Sequence, residues 1–295
     1  MLKRALFFST PFCLSLKNNQ MIVRTKEMPD MQKSIPVEDI GFVVLEHQQT
    51  SVTLPLLNAL SDNNAAVILC GDNRMPNAML MNLDSNKTQG ESYRAQIEAS
   101  EPLKKGLWKQ IVEFKIKNQA RLLAKLGKDG DKLKPYYMNV KSGDTDNREG
   151  AAAKIYWNEL FGADFIRSRE GVAPNNILNY GYTLLRAAVA RSLMGSGLFP
   201  AFGIFHRNRY NAFPLADDIM EPYRPFVDEI VFALYSGGEC ELTKEVKSSL
   251  LRLLFVDTVF DNVTRPLEVG LTMTTASLTK CFNGTQRRIV YPLIE

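Results

Sequence analysis

At 295 residues and 45% hydrophobic content, the chain is long enough for one large domain or two ordinary ones with substantial cores, which excludes a disordered or fibrous protein. A net charge of +4 from 36 basic and 32 acidic residues excludes a global basic field, so any nucleic-acid role rests on local clustering. Cys13, Cys70, Cys240 and Cys281 lie far apart without a C-x-x-C pair, which argues against a zinc knuckle or a disulfide scaffold and fits reduced thiols in a cytoplasm.

The start "MLKRALFFSTPFCLSL" imitates a secretory signal, but Pro11 interrupts the apolar run and no small-x-small cleavage site follows. No later stretch reaches the roughly 18 uninterrupted apolar residues of a membrane span, so a soluble protein without a membrane partner is expected. Over the first 85 or so residues, "RALFF", "CLSL", "MIVRT", "GFVVLE", "AVILC" and "AMLMNL" read as short strands bounded by Asn, Asp, Gly or Pro. Only "TLPLLNALSDNN", residues 53–64, looks helical among them.

From about Glu91 the pattern changes to long helices. Ser100 is placed to cap a helix whose first turn tolerates Pro102, and Leu103, Leu107, Trp108 and Ile111 follow at helical spacing towards Leu126. "GKDGDKLKP", residues 127–135, closes it as a loop. A second helix opens near Glu149 in "EGAAAKIYWNELFG", and a third runs through "NNILNYGYTLLRAAVARSLM" to a Gly195-Ser196-Gly197 stop. Pro222 and Pro225 kink or split the stretch after Asp218, and "FVDEIVFALY" and "VKSSLLRLLFVDTVF" are helical again.

Two histidines stand out by their rarity. His47 follows a strand and reads as structural. His206 opens "HRNRYN", with Asp218 and Glu221 a dozen or so residues on, and two readings stand: a buried hydrogen-bonded imidazole, or a ligand or base. Asp218 and Glu221 would share a helix face, yet D-x-x-E is also a capping box. Glu149 has the same ambiguity, with Asp146 as the cap three positions earlier. Should the three acids converge, they would repel unless a cation neutralised them, which implies a divalent ion. Arg167, Arg169, Arg186, Arg191, Arg207, Arg209 and Arg224 surround this group in sequence and modestly favour a phosphodiester substrate, because guanidinium bonds phosphate bidentately. The Gly-rich phosphate loop, H-E-x-x-H and serine elbow are missing, so nucleotide hydrolases, zincins and serine hydrolases lose support.

The runs "NREGAAAKIYWNELFG", "APNNILNYGYTLLRAAVARSLMGSG" and "FHRNRYNAFPLADDIMEPYRPFVDEIV", with "LSLKNNQMIV" and "IPVEDIGFVVLE" before them, closely resemble the Cas-one family of CRISPR-associated adaptation integrases, most like the type II branch. The resemblance covers almost the whole chain in order. It implies an α+β protein: an amino-terminal β-sandwich dimerisation domain, residues 1–86, then a larger all-α catalytic domain, residues 87–295. It implies a metal site of Glu149, His206 and Glu221 with Asp218 beside it, holding Mg²⁺ or Mn²⁺. The implied activity is spacer acquisition, in which the 3′ hydroxyl of a captured double-stranded DNA fragment attacks a phosphodiester at the edge of the CRISPR repeat. Arg167, Arg169, Arg186, Arg207, Arg209 and Arg224 would then hold DNA backbone. Implied partners are a second copy in a homodimer, the small Cas-two companion and the RNA-guided effector nuclease. Two rivals stay open: a structure-specific endonuclease on branched DNA, and a non-catalytic DNA-holding scaffold in which the acids are caps.

Overall fold

A computed structural model of the chain describes residues 3–25, 32–82, 84–206 and 208–295. Two compact units form, Met1–Lys87 and Thr88–Glu295.

The first unit holds two four-stranded sheets. One takes β1 (Arg4–Phe8), β5 (Ile40–Leu45), β7 (Ala66–Cys70) and β8 (Pro76–Leu80) in that order, parallel through the first three and antiparallel at the last. The other orders β4 (Gln32–Pro36), β3 (Gln20–Thr25), β2 (Phe12–Lys17) and β6 (Ser51–Val52). Strand β5, "IGFVVL", is apolar along almost its whole length because it lies between two parallel neighbours and is buried on both faces. Leu14 and Met21 from one sheet, Phe8, Ile40, Val43 and Val67 from the other, and Leu56 and Leu60 of α1 (Leu54–Asp62) share one core. Across the amino-terminal run that imitates a signal, Arg4–Phe8 and Phe12–Lys17 are strands β1 and β2.

The second unit is helical. After α2 (Gln89–Glu98), Ser100 Oγ accepts from the Leu103 amide and opens α3 (Glu101–Lys125), the longest helix. Leu107, Trp108, Ile111, Val112, Ile116, Leu122 and Leu123 bury one stripe of it. The segment 127–135, expected as loop, is partly helical: a 3-10 turn at Asp131–Leu133 runs into α4 (Lys134–Met138), with Pro135 at a first-turn position that needs no amide. There follow α5 (Arg148–Phe161), the almost wholly buried α6 (Asn175–Gly195), α7 (Pro214–Met220), a 3-10 turn Glu221–Tyr223, α8 (Arg224–Ser236) and α9 (Lys244–Leu251).

One correction concerns "VKSSLLRLLFVDTVF", expected to be helical throughout. Its end is strand β9 (Asp257–Phe260), paired antiparallel with β10 (Val263–Pro266) around Asp261 and Asn262, which both take positive φ. The otherwise α-helical unit therefore carries one hairpin, followed by α10 (Leu267–Phe282). The segment after α10 straps across α3: Leu293 pairs with Val259 of β9, and the buried Asn118 of α3 donates to Pro222 O and Pro292 O while accepting from the Ile294 amide.

Candidate active site

Glu149 lies in the first turn of α5, and its backbone is fixed before any chemistry is asked of it. Asn147 takes a left-handed conformation (φ 51°) as the cap, its Oδ1 accepting from the Gly150 amide. Asp144 accepts the Arg148 amide at 2.8 Å and the Glu149 amide at 3.1 Å through its two carboxylate oxygens. The expected cap, Asp146, instead pairs at the surface with Lys141 at 2.8 Å. The chain turns sharply through Gly143 (φ 73°), which brings Asp144 rather than Asp146 over the helix end.

His206 sits on the loop between α6 and α7, and Asp218 organises that loop. Asp218 is fully buried and takes the amides of Ile204 (2.6 Å), Phe205 (3.1 Å) and His206 (3.2 Å), together with His206 Nδ1 at 2.6 Å. It is no cap. Helix α7 starts four residues earlier at Pro214, every residue of α7 is buried, and Asp218 points its carboxylate back at the incoming loop. The neighbouring Asp217 serves a different pair, accepting from Arg186 at 2.6 and 3.0 Å and from Asn211 at 2.8 Å. Trp108 of α3 walls the imidazole, its ring meeting His206 edge-on at 5.6 Å while Phe205 stacks on it at 4.2 Å. The hydrogen bond to Asp218 holds the imidazole pKa above its ordinary value, outweighing the opposing effect of burial. With Nδ1 committed to Asp218, Nε2 is the nitrogen left to face a ligand.

Glu221 heads the 3-10 turn after α7 and is buried. Lys115 Nζ of α3 lies 2.5 Å from Glu149 Oε1 and 2.6 Å from Glu221 Oε2, so carboxylates from two separate elements meet at one positive charge. Arg224 Nε lies 2.9 Å from the other oxygen, Glu221 Oε1. Burial alone would raise the Glu221 pKa, but Arg224 and Lys115 outweigh it and hold it down at about 2. Burial would lower the Lys115 pKa, and Glu149 and Glu221 raise it instead.

Whether these residues suit a divalent ion follows from this arrangement. Among the described residues no three His, Cys, Asp or Glu side chains close around a common point, because the Lys115 ammonium stands between the two glutamates. The donor set nonetheless fits a hard cation: two carboxylates already facing one charge, and a half-buried imidazole locked by a carboxylate behind it. Glu221 Oε2 is buried and faces the Lys115 ammonium at 2.6 Å.

The expected arginines divide. Arg167, Arg169 and Arg224 line a cavity of about 330 Å³ together with Lys115, Glu221 and Trp157. Arg167 is anchored there by Asn175 Oδ1 at 3.0 Å and Asn179 Oδ1 at 2.6 Å, and Arg224 lies over the Tyr182 ring at 4.5 Å. Arg186 goes to Asp217, Arg191 to Glu268 at 2.6 Å, and Arg209 packs on the exposed Tyr210 ring. Arg207 lies outside the described residues. Sequence reasoning missed Lys115, Asp144 and the buried Asp228, which accepts from Tyr156 at 2.7 Å and from Tyr182. A start signal for α7 was present in Pro214, a favoured first helical residue, and would have argued against Asp218 as cap.

Comparison with known proteins identifies the family and the fold. The family described as CRISPR associated protein Cas1 matches residues 6–252. A CRISPR-associated endonuclease Cas1 of Neisseria meningitidis serogroup C is 39% identical over 255 residues, covering 85% of this chain and 83% of the relative. Among solved structures, a casposase bound to integration product superposes with a TM-score of 0.78 at 19% identity, over 98% of this chain and 92% of that one. A Cas6-RT-Cas1–Cas2 complex gives 0.74 at 18% identity, over 99% of this chain and 36% of that chain.

Proposed function

The chain belongs to the Cas1 family, and from that premise we propose that it is a divalent-metal-dependent DNA integrase that joins captured fragments to the CRISPR repeat. The carrying observation is the meeting of Glu149 and Glu221 on one positive charge, with His206 held in place by Asp218. Glu149, Glu221 and His206 Nε2 would hold Mg²⁺ or Mn²⁺. When bound, such an ion supplies Lewis-acid charge to a phosphate and lowers the pKa of an attacking hydroxyl.

The chain's own side chains do the positioning. Asp218 fixes the imidazole through Nδ1, and Arg224 fixes Glu221 through Oε1. Arg167 and Arg169, facing the cavity beside Glu221, bind backbone phosphate without reading bases. The 3′ hydroxyl oxygen of the fragment forms a new bond to the phosphorus at the 5′ edge of the repeat, the bond from that phosphorus to the 3′ oxygen of the flanking DNA breaks, and the hydroxyl proton ends on that departing oxygen. One phosphodiester replaces another, so no ATP is needed. With water as nucleophile the same residues hydrolyse DNA, a second reading favoured by the printed name of the Neisseria relative, an endonuclease.

A homodimer working with Cas2 in the cytoplasm, and with the RNA-guided effector nuclease in fragment selection, completes the reading. The fold shared with a Cas1–Cas2 complex and with a casposase on its integration product supports the Cas2 and DNA partners of this reading. The test is strand transfer of a short labelled duplex into a supercoiled plasmid carrying a CRISPR repeat, with purified Cas2, in Mg²⁺ or Mn²⁺. Metal-dependent joining that falls more than about 100-fold in both Glu149→Ala and His206→Ala, with DNA binding retained, is expected. Joining that survives both substitutions would sink the assignment. No joining by folded wild type that binds DNA would favour the scaffold.

A further inference from the structure

Lys115 lies partly buried in the middle of α3, and the proposed reaction leaves it without a role. Its ammonium touches both glutamates, at 2.5 and 2.6 Å, and its side chain is 12% exposed. A buried ion pair of this kind holds only while both charges stay compensated, and removing one partner leaves an uncompensated buried charge. Glu221 has a second partner in Arg224, 2.9 Å from its Oε1, while its buried Oε2 faces the lysine at 2.6 Å. The lysine therefore compensates charge at a point where two carboxylates converge, which is the place a divalent cation would take.

Lysine also suits a group that must leave. Its flexible four-carbon stem carries a compact charge, whereas a planar guanidinium presents a rigid fork of donors. Lys115 already lines the cavity of about 330 Å³ beside Arg167, Arg169 and Arg224, so space for the displaced ammonium adjoins its present position.

We propose that Lys115 is a displaceable counter-cation, holding Glu149 and Glu221 in place while the site carries no divalent ion and turning into the adjoining cavity when one binds. This rests on the metal site of the proposed function. By linkage, whatever Lys115 contributes to the metal-free protein is subtracted from the affinity for metal.

The experiment titrates the full chain with Mn²⁺ alone, by calorimetry and by the electron paramagnetic resonance of free Mn²⁺, in wild type, Lys115→Met and Lys115→Arg. Lys115→Met is expected to bind Mn²⁺ at least about tenfold tighter than wild type and to melt lower without metal, with added Mn²⁺ recovering the loss. Lys115→Arg keeps a competing charge and gains no affinity. Folded Lys115→Met that binds Mn²⁺ no tighter than a binding-competent wild type overturns the counter-cation alone. Absence of Mn²⁺ binding in wild type and both variants overturns the metal site with it. Should Lys115→Met not fold, acetylation of Lys115 in wild type, read by mass spectrometry, decides: labelling accelerated by Mn²⁺ supports the displacement, and labelling unchanged or slowed overturns it.

Discussion

Asp218 reaches His206 twice, its Oδ1 taking the imidazole Nδ1 at 2.6 Å and the backbone amide at 3.2 Å. With Ile204 and Phe205 it gathers three amides and a ring nitrogen onto one buried carboxylate. Removing that carboxylate strands several donors, so Asp218→Ala should cost about 3 kcal/mol of stability. His206→Ala removes a side chain that is 37% exposed and should cost about 1 kcal/mol. Urea denaturation of both variants checks this. Equal losses would mean that Asp218 serves the ring alone and does not hold the loop.

Asp144 acts on Glu149 through the backbone. It takes the amides of Arg148 and Glu149 at 2.8 and 3.1 Å and so fixes the first turn of α5. Asp144→Ala should lower stability by about 1 kcal/mol, in the range of a lost cap, and reduce strand transfer by about tenfold as Glu149 loses its anchor. Asp146→Ala, which breaks surface contacts with Lys141, Thr145 and Arg148, should leave both readouts close to wild-type values. Melting and joining assays on the two variants distinguish them, and the reverse ranking would restore the sequence-based cap.

What was legible in the sequence follows from what periodicity and local chemistry encode. The helices α3, α5 and α6 announce themselves through apolar stripes, Ser100 and the Gly195-Ser196-Gly197 stop. The β9–β10 hairpin was hidden because "VDTVF" continues an apolar helical run without a break, although Asp261-Asn262 is a turn signal. Helix α10 was overlooked because Thr274, Thr275 and Ser277 occupy buried positions that a hydrophobic pattern leaves blank; they are satisfied by hydrogen bonds such as Tyr223 Oη to Thr274 Oγ1 at 2.6 Å. Lys115 carries no local signal in "EFKIKNQ", since its partners arrive from α5 and from the turn after α7. Long-range convergence of charges leaves no trace in local spacing.

Asp228 gives the protein a pH dependence with a definite sign. Burial pushes its pKa up to about 6, although hydrogen bonds from Tyr182 and Tyr156 and the charges of Arg224 and Arg167 work the other way. Between the ordinary carboxylate value near 4 and about 6, the unfolded chain is ionised at this position while the folded chain keeps its proton. The unfolded state then binds fewer protons, so stability falls as pH rises through that window and is level above it. The contribution over those roughly two pH units is about 3 kcal/mol. Asp228→Asn cannot ionise and should lose this part of the slope while keeping a side chain that the two tyrosines can reach. Urea midpoints of both proteins from about pH 4 to pH 7 provide the comparison. Parallel pH profiles would show that Asp228 is ionised throughout and that the tyrosines outweigh its burial.

The arginines differ in how much charge they have left to offer DNA. Arg186 is neutralised by Asp217 in a two-point pair at 2.6 and 3.0 Å, so bringing it to a phosphate would first break that pair. Arg169 is exposed and faces the cavity beside Glu221. Each phosphate that a protein neutralises releases counterions, and the slope of log affinity against log salt counts such contacts. Arg169→Ala should therefore weaken binding of a duplex evenly across sequences and make the slope shallower by about one. Arg186→Ala should leave the slope where it is, since the residue arrives already paired. Fluorescence anisotropy of a labelled duplex over a range of potassium chloride concentrations measures both slopes. A shallower slope in Arg186→Ala would mean that Asp217 releases its guanidinium to the backbone when DNA binds, and that the pair is a latch rather than a fixed support.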